Sequence, residues 1–263
     1  MTSRAERRRK QRQQGKPGKS RQGPPDDTGP LVDLVVRYGP PVTIEELETC
    51  IDSLPSERLT VTVVAPPTAP AKASPERLVG HQTVHSDDIT DGRRRAASRG
   101  RAPFLVFMDA DCNLLHKGML DIALGHLAQG AGVVGGLLVT ADVVHAAGYT
   151  FALTGKPYRR YEGWSPDNER VQAHRADLQA VPFGFLATRR DVFRKVGLRP
   201  DFVNRPYSDV DYCVRVRRAG APVIYDPGIL IETAGLLEPK HDPASVQLMI
   251  ASCEPNYDEW FML

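Results

Sequence analysis

Two short acidic clusters are the residues of this sequence best suited to chemistry. The first, Asp109-Ala110-Asp111, closes the apolar run Phe104 to Met108. Where an extended run gives way to a turn, alternate positions can face one side, so both carboxylates can meet one ligand. Their hard oxygens suit Mg²⁺ or Mn²⁺, which can bridge them to a diphosphate. The same residues also fit an ordinary acidic turn that caps the next helix. The second cluster lies in Tyr207-Ser208-Asp209-Val210-Asp211-Tyr212, at the start of a helical pattern that ends in Arg215, Arg217 and Arg218. A carboxylate there can serve as a general base. First-turn acids and last-turn arginines also complement a helix dipole with no chemistry at all.

These side chains need a scaffold, and the hydrophobic periodicity supplies one. Leu31 to Val36, Leu59 to Val64 and Phe104 to Met108 read as short strands, while Ile44, Leu47, Ile51 and Leu54 share one helical face. The proline-rich stretch APPTAPAKASP is a loop, and further elements are expected at Val79 to Val84 and Arg93 to Ser98. Lys117 to Ala128, Arg190 to Val196 and Ser208 to Ala219 read as helices. Gly132 to Val139, Leu178 to Thr188, Val223 to Tyr225 and Ile229 to Ile231 read as strands, and Thr154 to Arg175 as a polar loop. The alternation predicts a single Rossmann-like α/β domain with a mainly parallel central sheet flanked by helices. Ligands of such sheets gather outside the carboxyl ends of the strands, where Asp109 and Asp111 fall.

With 263 residues and 41% hydrophobic content, the chain can bury one large core. We expect a disordered basic tail over residues 1–29, one domain over 30–236, and an extension over 237–263 that packs on it. The first 25 residues hold nine Lys/Arg against one Glu and lack aromatic residues, Val and Ile, so they cannot bury enough surface to fold. Such a tail attracts anionic surfaces by charge, but nothing in it specifies a nucleic acid. No apolar run approaches the roughly 18 to 20 residues that span a bilayer, and no signal-like apolar core opens the chain. A soluble, cytoplasmic protein is expected, with peripheral membrane contact left open. Cys50, Cys112, Cys213 and Cys253 lack zinc-site spacing and read as reduced thiols.

Four stretches, in this order, resemble family 2 glycosyltransferases of the GT-A fold, over roughly residues 31 to 235. They are FLVFMDADCNLL, ADVVHAAGYTF, LQAVPFGFLATRRDVFRKVGL and YSDVDYCVRVRRAGAPVIYDPGILI. The resemblance implies an inverting transferase that moves a sugar from a nucleotide-diphosphate donor to a hydroxyl of a glycan, lipid-linked or protein acceptor. It implies Mn²⁺ or Mg²⁺ held by Asp109 and Asp111, with Asp109 also meeting the donor, and Asp209 as general base. Asp211, grouped with Asp209 in the catalytic helix, would organise that helix with Arg215 or bind substrate. Arg37 and Tyr38, at the end of the first strand, are assigned to the donor side, and Gly184 to the acceptor side. A homodimer is left open.

The sequence departs from the family pattern at three points. The aspartate usual after the second strand is absent where Val63-Val64 runs into Ala65-Pro66-Pro67, leaving Asp87 or Asp88 as substitutes. The residue before the base, commonly glutamate, is Ser208. A histidine usual after the tyrosine-proline strand is replaced by Glu232 or Thr233; Glu232 is assigned to the metal, and His241 lies further on. These changes keep a second reading open, a sugar-nucleotide or glycan-binding protein that does not transfer. A nucleotidyltransferase ranks last, because Arg37-Tyr38-Gly39-Pro40-Pro41 is no glycine-rich basic phosphate loop. Trp260 and Phe261 are read as packing on the domain, with a cover over the site or a dimer contact as alternatives.

Overall fold

The computed structural model of the protein describes residues 31–55, 57–69, 82–151, 156–176, 178–202, 206–235 and 243–253. Strand β1 (Val32–Arg37) leads into helix α1 (Ile44–Asp52). That helix starts at Thr43, whose hydroxyl accepts from Glu46 N while the Glu46 carboxylate accepts from Thr43 N, a reciprocal cap. Leu47, Cys50 and Ile51 form its buried stripe. Strands β2 (Leu59–Ala65) and β3 (Gln82–His85) follow, then α2 (Ile89–Arg99), β4 (Phe104–Asp109) and β5 (Cys112–Leu114). The Asp88 carboxylate accepts from Thr90 N and Asp91 N, so this acid caps α2. Helix α3 (Gly118–Ala128), β6 (Val133–Thr140), β7 (Val143–Ala146), β8 (Tyr149–Phe151) and β9 (Pro157–Arg159) come next. The described chain continues through β10 (Phe185–Arg189), α4 (Arg190–Val196), α5 (Tyr207–Arg218), β11 (Val223–Thr233) and α6 (Pro243–Cys253).

One sheet runs in the order β3-β2-β1-β4-β10-β6-β11-β5, with β7 on β6. Its first half, β3-β2-β1-β4, is parallel as expected. Strand β10 then enters antiparallel between β4 and β6. Beyond it β6 and β11 are again parallel, and β5 closes the sheet antiparallel to β11. Strands β8 and β9 form a separate hairpin, so the expected loop after Thr154 holds a short strand.

Two further elements differ from expectation. Only Phe185–Arg189 of the apolar run from Leu178 is strand. Pro182 has no N–H to give a ladder, Phe183 N donates to a carboxylate instead, and the Gly184 carbonyl accepts from Asp109 N. Conversely, the two short strands expected around Pro227 are one strand, β11, whose register against β6 shifts between Asp226 and Leu230. Gly136 faces that bulge so closely that a Cβ would lie 2.1 Å from the Ile229 carbonyl oxygen.

Apolar side chains cover both faces of the sheet. Leu34 and Val106 pack with α1 and α3 on one side, and Leu105 and Phe107 pack with residues of α2 and α5 on the other. Each such side chain is worth about 1.5–3 kcal/mol when fully buried. A buried ion pair crosses the second layer. Arg190, at the start of α4, meets Asp33 of β1 and the carbonyls of Ala97 and Ala102, tying three elements together. Burial pushes the Asp33 carboxyl up, and the Arg190 charge opposes that shift.

Helix α6 rests on α5 with Met249 buried. The basic tail, His241, Trp260 and Phe261 lie outside the described residues. Among the described residues, no helix is long and apolar enough to cross a membrane. Cys50, Cys112 and Cys213 are free and buried.

Candidate active site

Asp109 is the last residue of β4, and Ala110 N donates to the Arg37 carbonyl of β1 at 2.9 Å, so the chain turns as soon as the parallel ladder ends. Asp111 follows that turn and is pinned by its own carbonyl, which accepts from Ala234 N at 3.1 Å. Both side chains line one cleft, shared with Cys112, Leu138, His145, Ala146, Tyr149, Arg159, Pro182, Gly184, Thr233 and Gly235. It encloses about 380 Å³, counting its open mouth. The turn after β4 therefore brings the two carboxylates to one side, at the carboxyl end of the strand.

Asp109 is held from beneath. Arg93 Nη2 of α2 donates to its Oδ1 at 2.8 Å, with both side chains only 2% exposed. The Arg93 guanidinium lies 4.6 Å over the centroid of Phe183, and that ring packs edge-on against Phe107. A buried arginine between a carboxylate and an aromatic face is a fixed, desolvated positive charge. Asp111 Oδ2 lies 3.4 Å from the Thr233 hydroxyl of β11.

The structure separates the other expected residues. Asp209 is wholly buried at the start of α5. It does not cap its own helix: Oδ2 accepts from Phe183 N at 3.0 Å, and Oδ1 accepts from the Ser208 hydroxyl at 3.0 Å. It thus stands directly behind the cleft wall formed by Pro182 and Gly184. Asp211, two positions on and so on the opposite side of the helix, is not at the cleft. Its Oδ2 accepts from Arg215 Nη2 at 2.6 Å, and Arg215 also donates to the carbonyls of Val196 and Gly197 at the end of α4. Burial raises the Asp211 carboxyl, with the Arg215 hydrogen bond opposing.

Arg37 is the register partner of Asp109 across the sheet, so it borders the site at the end of β1. Tyr38 is nearly buried beside it, its N–H donating to the Val64 carbonyl. Gly184 lines the cleft, where a Cβ would come within 2.7 Å of Leu138. Glu232 is exposed and is not brought to the cleft; alternation along β11 turns its neighbour Thr233 inward.

His145, Tyr149 and Arg159 are polar cleft residues that the sequence did not nominate. The first two fall inside ADVVHAAGYTF, a stretch singled out for its resemblance alone. Arg159 sits on β9, where nothing in the local pattern marks it. Two carboxylates and an imidazole lining one cleft are donor types that suit a divalent ion such as Mn²⁺. Thiols are not among them. Burial, reinforced by the Asp109 and Asp111 charges, drives the Cys50 and Cys112 thiols far up.

No protein-family model and no curated protein sequence matches the chain. Solved structures do. GalNAc-T7 bound to UDP, GalNAc and Mn²⁺ superposes with a TM-score of 0.67 at 12% identity, over 90% of this chain and 50% of that one. The mannosyltransferase PcManGT from Pyrobaculum calidifontis, bound to GDP-Man and Mn²⁺, superposes with a TM-score of 0.56 at 13% identity, over 87% of this chain and 76% of that one. The chain thus spans half the length of the first of these. Among the described residues, a curled central sheet and six helices form a single mixed α/β domain similar to the GT-A glycosyltransferase folds.

Proposed function

We propose that the protein is a glycosyltransferase that moves a sugar from a nucleotide-diphosphate donor to an acceptor hydroxyl with inversion at the anomeric carbon. The observation that carries this reading is the paired placement of Asp109 and Asp111 in one cleft at the carboxyl end of β4. That strand closes a parallel β3-β2-β1-β4 half of the kind that binds nucleotides. The glycosyltransferases of similar fold bind UDP or GDP-Man together with Mn²⁺, which supports the same donor class here.

Asp109, Asp111 and His145 would hold Mn²⁺ or Mg²⁺; the bound ion would neutralise charge developing on the departing diphosphate, worth several kcal/mol. Arg93 fixes Asp109 so that the carboxylate need not reorganise during reaction. Arg37 and Tyr38 border the donor side, and Arg159 and Tyr149 face the space left for the acceptor. Asp209 is the proposed base. Because its carboxylate is wholly buried and held by Phe183 N, this role requires the Pro182–Gly184 wall to open before Asp209 can take the proton from the attacking hydroxyl. A single displacement inverts the configuration and needs no covalent intermediate.

The test incubates purified protein with UDP- and GDP-sugars and Mn²⁺, follows nucleotide release, and reads the product anomer by NMR. Asp111→Asn is expected to lower turnover by about 10²-fold or more. Asp209→Asn is expected to lower it by about 10²–10⁴-fold while nucleotide binding persists. Full turnover in Asp111→Asn would overturn the metal assignment, and nucleotide binding without any product would favour a binding protein instead.

A further inference from the structure

A second cluster of metal-binding side chains lies well away from the cleft. His126 at the end of α3, His174 and Asp226 of β11 offer two imidazole nitrogens and a carboxylate oxygen, all within 4.8 Å of one another. Nε2 of His126 is 2.7 Å from Oδ2 of Asp226, and the two imidazoles lie 5.2 Å apart, tilted by 32°. Asp226 is seven residues before Thr233, so the cluster lies roughly 20 Å along β11 from the cleft.

The backbone builds this cluster. Arg175 and Tyr225 exchange both N–H···O bonds, at 3.0 and 2.7 Å, in an isolated antiparallel bridge. In that register the residue before Arg175 stands opposite the residue after Tyr225, which sets His174 against Asp226. The Tyr225 hydroxyl reinforces the arrangement by donating to the Val171 carbonyl at 2.9 Å. The bulge that starts at Asp226 lets Gly228 N donate to its Oδ1 at 2.8 Å, leaving Oδ2 directed at His126. A hydrogen bond that orients a ligating carboxylate is the support that metal sites carry around their ligands.

We propose that His126, His174 and Asp226 form a site for one divalent transition-metal ion of the zinc class. Two imidazoles and one carboxylate, with water in a fourth position, are a tetrahedral zinc set, and the nitrogen donors disfavour Mg²⁺. The ion fastens the segment that holds His174 to the sheet and to α3. That segment begins at β9, which carries Arg159 into the cleft, and Val144 N binds the Trp164 carbonyl midway along it. Metal here braces one wall of the cleft without taking part in its chemistry, and the site stands whatever reaction the cleft performs.

The test uses the tag-free, chelator-stripped chain of 263 residues. Zn²⁺ is titrated against a chromophoric chelator, Co²⁺ is followed by its visible ligand-field bands, and melting temperatures are read with and without Zn²⁺. Wild type and Asp111→Asn should each take up one tight equivalent and melt higher with Zn²⁺. His174→Ala and Asp226→Asn should bind at least about tenfold more weakly and lose the melting shift. His174 is exposed, so His174→Ala without metal should melt as wild type does. Absence of a tight equivalent in wild type overturns the proposal. So does an equivalent that survives in His174→Ala, or one that disappears in Asp111→Asn.

Discussion

Arg93 governs how Asp109 can meet a ligand, because one carboxylate oxygen is held by a guanidinium that cannot lose its charge. Arg93→Met would leave Asp109 buried beside an apolar side chain. We expect a loss of about 3–5 kcal/mol in the urea unfolding free energy, with Arg93→Lys recovering part of it. The two carboxylates were legible because they close an apolar run and fall in the first of four stretches that resemble one family in order; alone, the same pattern fits an ordinary acidic turn. Arg93 was not, since Arg93-Arg94-Arg95 reads as a solvated stripe. Only the placement of Gly92, Ala96 and Ala97 on the buried face separates it from Arg94 and Arg95, which pair with Asp91 at the surface. Asp209 and Asp211 read alike in sequence, yet their positions on opposite sides of α5 send one to the cleft wall and the other to the end of α4.

Between β6 and β11 the register shift sets which residues face the site. Two separate strands around Pro227 leave the inward side of Glu232 and Thr233 undetermined, and a single residue of slip reverses it. The bulge resolves the choice in favour of Thr233. Gly136 permits that bulge. Gly136→Ala would press a methyl onto the Ile229 carbonyl, and we expect a loss of about 1–3 kcal/mol by chemical denaturation, with a lower Co²⁺ affinity at Asp226. The helices and parallel strands were legible from local periodicity. Insertion of β10 between β4 and β6 was not, because it depends on pairing across the whole chain, and the run from Leu178 carries no mark of direction.

For the whole molecule, the α/β class follows from element order, while the shape of the cleft depends on segments that converge from β4, β7, β9 and β11. A ligand that joins those segments should stabilise all of them. At a hundred times its dissociation constant, a nucleoside diphosphate with Mn²⁺ should add about 2.7 kcal/mol. At roughly 2–4 °C per kcal/mol for a domain of this size, the melting temperature should rise by about 5–10 °C. Asp111→Asn should remove most of that rise, read by differential scanning fluorimetry. The order of the sheet has one more consequence. It ends at β3 and β5, strands of four and three residues, and the loop bridge at Arg175 lies on β11 upstream of the part that β5 covers. Among the described residues, little open backbone is left at these two margins to template a foreign strand. The brevity of these two terminal strands limits, among those residues, how far a neighbouring copy could extend the sheet from either end.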